Sequence, residues 1–127
     1  MQLPEAALSL RIFIGESDRH GHQPLYEFIV KQARELQMAG ATVTRCPMGF
    51  GKSSRIHTEK ILQLSMDLPI VIEIVDSEEK INGLMLPRLD DWLAAAGALV
   101  TLEKIKVLHY RARAAADAAT TSGSTSQ

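Results

Sequence analysis

A four-stranded antiparallel sheet with two helices on one face, an α+β arrangement, is what this sequence predicts. Three observations carry that prediction. Residues 8–14, LSLRIFI, set Leu8, Leu10, Ile12 and Ile14 against Ser9, Arg11 and Phe13, the period of two of a half-buried strand. Two stretches with helical spacing, opening near Pro24 and near Ser77, each lie between strand-like segments. A glycine- and serine-containing loop, not a clear helix, joins the second strand-like segment to the third. The resulting order, β-α-β-β-α-β, is the split arrangement of a ferredoxin-like fold.

Each element has a local cause. Gly15 ends the first strand, and the polar loop GESDRHGHQ follows. Pro24 suits the first position of a helix, where its missing N–H has no partner to lose. Leu25, Phe28, Ile29, Ala33 and Leu36 then recur on one face, with Gly40 as the expected stop. ATVTRC, residues 41–46, is short and β-branched, hence a second strand. Residues 56–67, IHTEKILQLSMD, fit a short helix or an irregular return. LPIVIEIV, residues 68–75, is nearly continuous in apolar side chains and predicts a central strand.

Asp76 or Ser77 is placed to cap the second helix, with Glu78 and Glu79 near its positive end. Ile81, Leu84, Met85, Leu89, Trp92 and Leu93 form its buried stripe. Pro87 inside that stripe normally costs about 3 kcal/mol. Gly83 stands at the carbonyl the proline ring would crowd, so a kinked helix is expected. Gly97 breaks it, and ALVTLEKIKVLHY supplies a fourth strand region. Phe13, Val71 and Val75 then fall on the sheet face away from the helices. One chain would leave that apolar surface open, and self-association is the economical cover.

The bulk numbers agree with one domain, expected over residues 1–113 of the 127, followed by a disordered tail over 114–127 that is poor in large apolar groups. Hydrophobic residues make up 46% and charged residues 23%, ordinary for a soluble domain. The net charge of −1 offers no basic surface for nucleic acid or an acidic membrane. No apolar run approaches the roughly 20 residues that span a bilayer, and no signal-peptide pattern opens the chain. The single Cys46 excludes an internal disulfide and fits a reducing cytoplasm; a small buried thiol is expected there, not a nucleophile.

MGFGKSSRIHTEK, residues 48–60, has the look of a phosphate cradle. Gly51-Lys52-Ser53 matches the end of a P-loop, but the first glycine of that motif would fall at Cys46. A P-loop also joins a strand to a helix in a parallel sheet, which this loop does not. Two readings stay open. Gly49 and Gly51 let backbone N–H groups approach an anion, with Lys52 adding a mobile positive charge. Alternatively, this is a hairpin whose glycines serve turn geometry and whose charges are solvated.

GATVTRCPMGFGKSSRIHTE, residues 40–59, resembles the PII signalling proteins, in which a Thr-Val-Thr strand runs into Gly-Phe-Gly-Arg and a long loop with His-Thr-Glu. VIEIVD resembles their next strand, and GALVTLEKIKVLHYRAR their closing strand, which ends in arginines. The resemblance spans roughly residues 8–113. The ordered set GESD, GATV, GFG, IHT and LPIVIEIVDSEEKI is similar to a PII-like family of unknown function.

The resemblance implies a homotrimer with adenine nucleotides in three intersubunit clefts. It also implies a long loop that reaches a partner protein, often a membrane transporter or a metabolic enzyme. By position it puts Thr42 and Val75 near the adenine and the N–H of Gly51 at the phosphates. Lys52 takes the place of an arginine, Gly97 opens a second phosphate-facing loop, and Arg111 matches a phosphate-neutralising arginine. The family's lysine after that second glycine is Ala98 here, and the first closing-strand arginine is His109. Fewer positive charges favour AMP or a cyclic nucleotide over ATP. No tyrosine lies between Tyr26 and Tyr110, so uridylylation of the loop is closed.

Other constellations are weaker. Asp18, His20 and His22 could ligate zinc or copper, but their spacing matches no strong signature and a solvated loop is the plainer reading. His57 with Glu59 could act as an acid–base pair, though no nucleophile or third group joins them. Glu73, inside an apolar strand, is expected to meet a basic group across a subunit interface. The sequence reading is thus a regulatory protein and not an enzyme, with no resident metal. The alternative is a metal-binding trimer of the same fold.

Overall fold

The computed structural model describes residues 5–49, 57–58 and 67–111. Four strands, β1 (Ala6–Gly15), β2 (Gly40–Arg45), β3 (Pro69–Asp76) and β4 (Leu99–Lys106), form one antiparallel sheet in the order β2-β3-β1-β4. Helix α1 (Leu25–Glu35) links β1 to β2. Helix α2 links β3 to β4 and has three parts: a first turn (Glu78–Lys80), a π-helical stretch (Ile81–Met85) and an α-helical end (Leu86–Trp92). The class is α+β and the topology ferredoxin-like, as the sequence predicts. The proposed tail, residues 114–127, and residues 50–56 and 59–66 lie outside the described residues.

The core follows from the period of β1. Leu10, Ile12 and Ile14 stand opposite Ile74, Ile72 and Ile70 on β3, and all six are buried. Leu25, Ile29 and Ala33 of α1 and Ile81, Met85, Leu89 and Trp92 of α2 close over them. Each such large side chain contributes about 1.5–3 kcal/mol by leaving water. The other phase of the strands forms the open face. There the rows run Thr42–Glu73–Arg11–Thr101 and Thr44–Val71–Phe13–Leu99 across β2, β3, β1 and β4. Phe13, Val71 and Val75 lie on that face, half-buried, as expected.

Two local readings are corrected, and the choice of cap for the second helix is resolved. Pro24 is the N-cap, with α1 beginning at Leu25. The helix does not run to Gly40, which starts β2; it stops at Gln37, a non-glycine residue at φ +62°. The Met38 N–H reaches the Ala33 carbonyl at 3.0 Å and the Gln37 N–H the Arg34 carbonyl at 3.0 Å, the two bonds of a Schellman closure. At α2, Ser77 is the cap, its Oγ accepting the Lys80 N–H at 3.2 Å.

Asp76 does different work. Its buried carboxylate accepts the Ala39 N–H at 2.8 Å and the Ser77 N–H at 2.6 Å, and Lys80 Nζ lies 3.3 Å away. Lys80 also donates to the Gln37 carbonyl, tying the start of α2 to the end of α1. The expected kink takes the form of the π-helical stretch, where the Leu86 N–H bonds to the Ile81 carbonyl. Pro87 then sits in the first turn of the following segment, where it is tolerated.

Candidate functional site

The residues singled out in the sequence fall into two groups. Thr42 is exposed on β2 opposite Glu73, and Val75 on β3 lies opposite Gly40 and Ser9. Beyond β2, the Cys46 N–H continues the pairing by bonding to the Pro69 carbonyl at 2.9 Å. Met48–Gly49 then pairs with His57–Thr58, so the loop leaves the sheet through a short antiparallel stem. A Cβ on Gly49 would come within 3.1 Å of Pro69 Cγ. This glycine therefore lets the stem lie against the start of β3, whatever the loop binds. Gly51 and Lys52 lie outside the described residues.

The second group sits on the opposite edge of the sheet. Gly97 lies two residues before the start of β4, while His109 and Arg111 lie beyond its far end; all three are exposed. Edges β2 and β4 are three strand spacings apart, about 14 Å. Thr42, Val75 and Gly49 thus share the β2–β3 side, while Gly97 flanks one end of β4 and His109 and Arg111 flank the other. A single chain does not bring the two sets into one pocket.

Between them, the open face carries a polar network. Ser9 Oγ donates to Glu73 Oε2 at 2.8 Å and Arg11 Nε donates to the same oxygen at 3.1 Å, with Arg11 Nη1 3.8 Å from Glu103. The Ser9 hydroxyl foremost, and the Arg11 guanidinium after it, hold the Glu73 carboxyl below its usual range against an opposing effect of burial. The basic group that Glu73 meets therefore belongs to its own chain, a correction to the intersubunit pairing expected from sequence. Arg11 and Glu73 occupy the same open-face phase of their strands, and that phase was the available signal for the network.

The loop after β1 is held by its own acids. Asp18 Oδ2 accepts the Gly15 N–H at 2.8 Å, and Asp67 Oδ1 accepts the Ser17 N–H at 3.0 Å. Burial raises the Asp18 carboxyl above its usual value, nearby Asp67 adds to the rise, and the Gly15 hydrogen bond opposes it. The His20 ring stacks flat on Phe28 at 3.7 Å, and Phe28 meets Trp92 edge-on at 5.6 Å. Asp18 and His20 thus have structural contacts, and no group of three or more His, Cys, Asp or Glu is arranged for a metal among the described residues. Cys46 is half-buried where the sequence led us to expect full burial. His57 pairs its backbone with Gly49, and Glu59 lies outside the described residues. No helix among the described residues is long and apolar enough to cross a membrane.

The sequence pattern of the family DUF190, described as "Uncharacterized ACR, COG1993", matches residues 7–107. The chain belongs to the DUF190 family. A UPF0166 protein of Aquifex aeolicus (strain VF5) is 37% identical over 100 residues, covering 79% of this chain and 91% of that one. UPF0166 protein MJ1524 of Methanocaldococcus jannaschii is 33% identical over 91 residues, covering 72% and 82%. Among solved structures, the DUF190 chain is similar to CPII, a nitrogen regulatory PII-like protein from Thiomonas intermedia K12, bound to ADP, AMP and bicarbonate. The TM-score is 0.62 at 19% identity, over 80% of this chain and 88% of that one. CPII bound to ADP and bicarbonate gives a TM-score of 0.60 at 20% identity, over 84% and 95%. The DUF190 chain therefore has the PII-like fold.

Proposed function

We propose that this DUF190 chain is a PII-like regulatory protein that binds an adenine nucleotide between copies of itself and signals the bound state through residues 47–60 to a partner protein. The observation that carries this reading is the division of the candidate residues between opposite sheet edges. A site that needs Thr42 and Val75 together with His109 and Arg111 is complete only when one copy's β2 side meets a neighbour's β4 side. A closed ring, with three copies as in the PII pattern, satisfies that requirement for every copy at once. The half-buried open face, with Phe13, Val71 and Val75, supplies an apolar reason to associate.

One of the similar CPII structures carries ADP and AMP and the other ADP, which supports the adenine class of ligand. Ala98 and His109 replace two positive charges of the PII pattern, so the preferred ligand has little phosphate charge: AMP or cyclic AMP ahead of ATP. The role is regulation, not turnover, in the reducing cytoplasm that the lone cysteine suits.

The test is calorimetric titration with AMP, cyclic AMP, ADP and ATP after sedimentation has fixed the mass. Saturable binding near one ligand per chain, weakened at least tenfold in Arg111→Ala, is expected. A trimer that binds none of the four overturns the nucleotide reading.

A further inference from the structure

The motif Gly15-Glu16-Ser17-Asp18 takes no part in the nucleotide reading, yet every residue of it is engaged. The turn first closes on itself: the Gly15 N–H donates to Asp18 Oδ2 at 2.8 Å, and the Asp18 N–H donates to the Gly15 carbonyl at 3.2 Å. It then reaches both ends of the segment that joins β2 to β3. On one side Arg45, the last residue of β2, donates from Nε to Glu16 Oε1 at 3.1 Å. Strand β3 lies between β2 and β1, so the arginine reaches past the neighbouring strand to make this contact. On the other side Asp67 Oδ1 accepts the Ser17 N–H at 3.0 Å, and the Leu68 carbonyl accepts the Glu16 N–H at 2.8 Å. The glycine is there for space. Gly15 is not at a positive φ, and a Cβ on it would stand 2.5 Å from Asp67 Oδ1. Only glycine leaves that carboxylate its place against the turn.

We propose that residues 15–18 are a clasp that ties the two roots of the β2–β3 segment, Arg45 and Asp67, to one turn, so that neither root moves without the other. The proposal deepens the regulatory reading and rests on it only for the use of that segment in signalling. Contacts that share no partner act independently, but these two share a turn that its own hydrogen bonds make stiff. Loss of one arm therefore shifts the turn and lengthens the other. The clasp also gives a signal a route into the helix layer, because the Asp18 carbonyl accepts the Leu25 N–H at 2.8 Å where α1 begins. Its arms differ in kind. The Arg45–Glu16 ion pair is partly exposed and weakens with salt, whereas Asp67 holds a backbone N–H and needs no opposite charge. The ion pair is the arm that releases first.

Amide hydrogen exchange followed by NMR on the full chain, without nucleotide or partner, reads both arms. In Arg45→Gln the Ser17 amide, which Asp67 holds, loses protection at least fivefold. In Gly15→Ala, which pushes Asp67 aside, the Cys46 amide on the other root, bonded to the Pro69 carbonyl, does the same. The charge exchange Glu16→Arg with Arg45→Glu returns the Ser17 amide to within about twofold of wild-type protection. The Met38 amide at the end of α1 stays unchanged in every variant and reports an intact fold. A Ser17 amide unchanged in Arg45→Gln, or a Cys46 amide unchanged in Gly15→Ala, means that the roots are held independently and overturns the proposal. A Met38 amide that loses protection in step with Ser17 assigns the effect to general instability and overturns it as well. No ligand enters the measurement, so a protein that binds no nucleotide leaves its outcome standing.

Discussion

Arg11 and Glu73 stand directly opposite each other on β1 and β3, joined at 3.1 Å on the face that the helices leave uncovered. With Ser9 donating to the same Glu73 oxygen, they form a polar centre between Phe13, Val71 and Leu99 on one side and Val75 on the other. Glu73 is held below its ordinary carboxylate value of 4.5, chiefly by Ser9 and then by Arg11. Its stabilising contribution is therefore full above that value and lost as pH falls through the lowered folded value. Urea midpoints of the wild type should drop on acidification below about pH 4.5, and those of Glu73→Gln should drop less. At neutral pH the substitution should cost no more than about 1 kcal/mol, because both partners remain solvent-accessible. An identical acid limb in the variant would assign the loss to other carboxylates.

Asp18 has the opposite sign. Burial raises its carboxyl above the ordinary 3.8, so its contribution is fully present below that value and declines as pH rises through the folded value. Asn at this position keeps an oxygen for the Gly15 N–H and removes the charge that burial disfavours. Asp18→Asn should equal or exceed wild-type stability at pH 7, with the difference shrinking towards pH 3. A variant clearly less stable at pH 7 would show that the ionised carboxylate, not the hydrogen bond alone, holds the turn.

Gln37 closes α1 in the left-handed region at φ +62°, a conformation that costs a residue with a Cβ about 1–2 kcal/mol. Its carbonyl also receives Lys80, a contact that any residue preserves. Gln37→Gly should raise thermal stability by a few degrees, offset in part by the greater freedom of glycine in the unfolded chain. A lower Tm by calorimetry would mean that the glutamine side chain contributes something the closure geometry does not reveal.

The periodic elements were legible because their causes are local. Leu8, Leu10, Ile12 and Ile14 declare the buried face of β1, and the helical stripe of α2 survives Pro87 because a π-helical stretch absorbs it. The end of α1 was not legible, since Gly40 is the residue that a stop signal favours while the chain spends its left-handed turn on Gln37. The partner of Glu73 was misplaced for a different reason. Arg11 lies 62 positions away, and only the β1–β3 register brings the two together. The candidate site was legible as residue types and motifs but not as a place. Strand order decides that Thr42 and Arg111 lie on opposite edges, and strand order is a property of the assembled sheet.

The replacements at Ala98 and His109 make a prediction about ligand charge. If Gly97 of one copy and the end of β4 of a neighbour border the phosphates, then Ala98→Lys with His109→Arg restores cations where the sequence lacks them. A charge-assisted hydrogen bond is worth about 1.5–3 kcal/mol, roughly tenfold to a hundredfold in affinity. That gain should fall mainly on ATP, whose outer phosphates meet the added charges, and much less on AMP. His109 is exposed and Ala98 half-buried against the core, so circular dichroism of the double variant should accompany the titration. The quantity to measure is the ratio of ATP to AMP dissociation constants by calorimetry, in wild type and double variant at one salt concentration. A ratio shifted at least tenfold towards ATP places the β4 side at the phosphates. Equal tightening of both ligands would reflect only a more positive surface, and no change would remove this edge from the site.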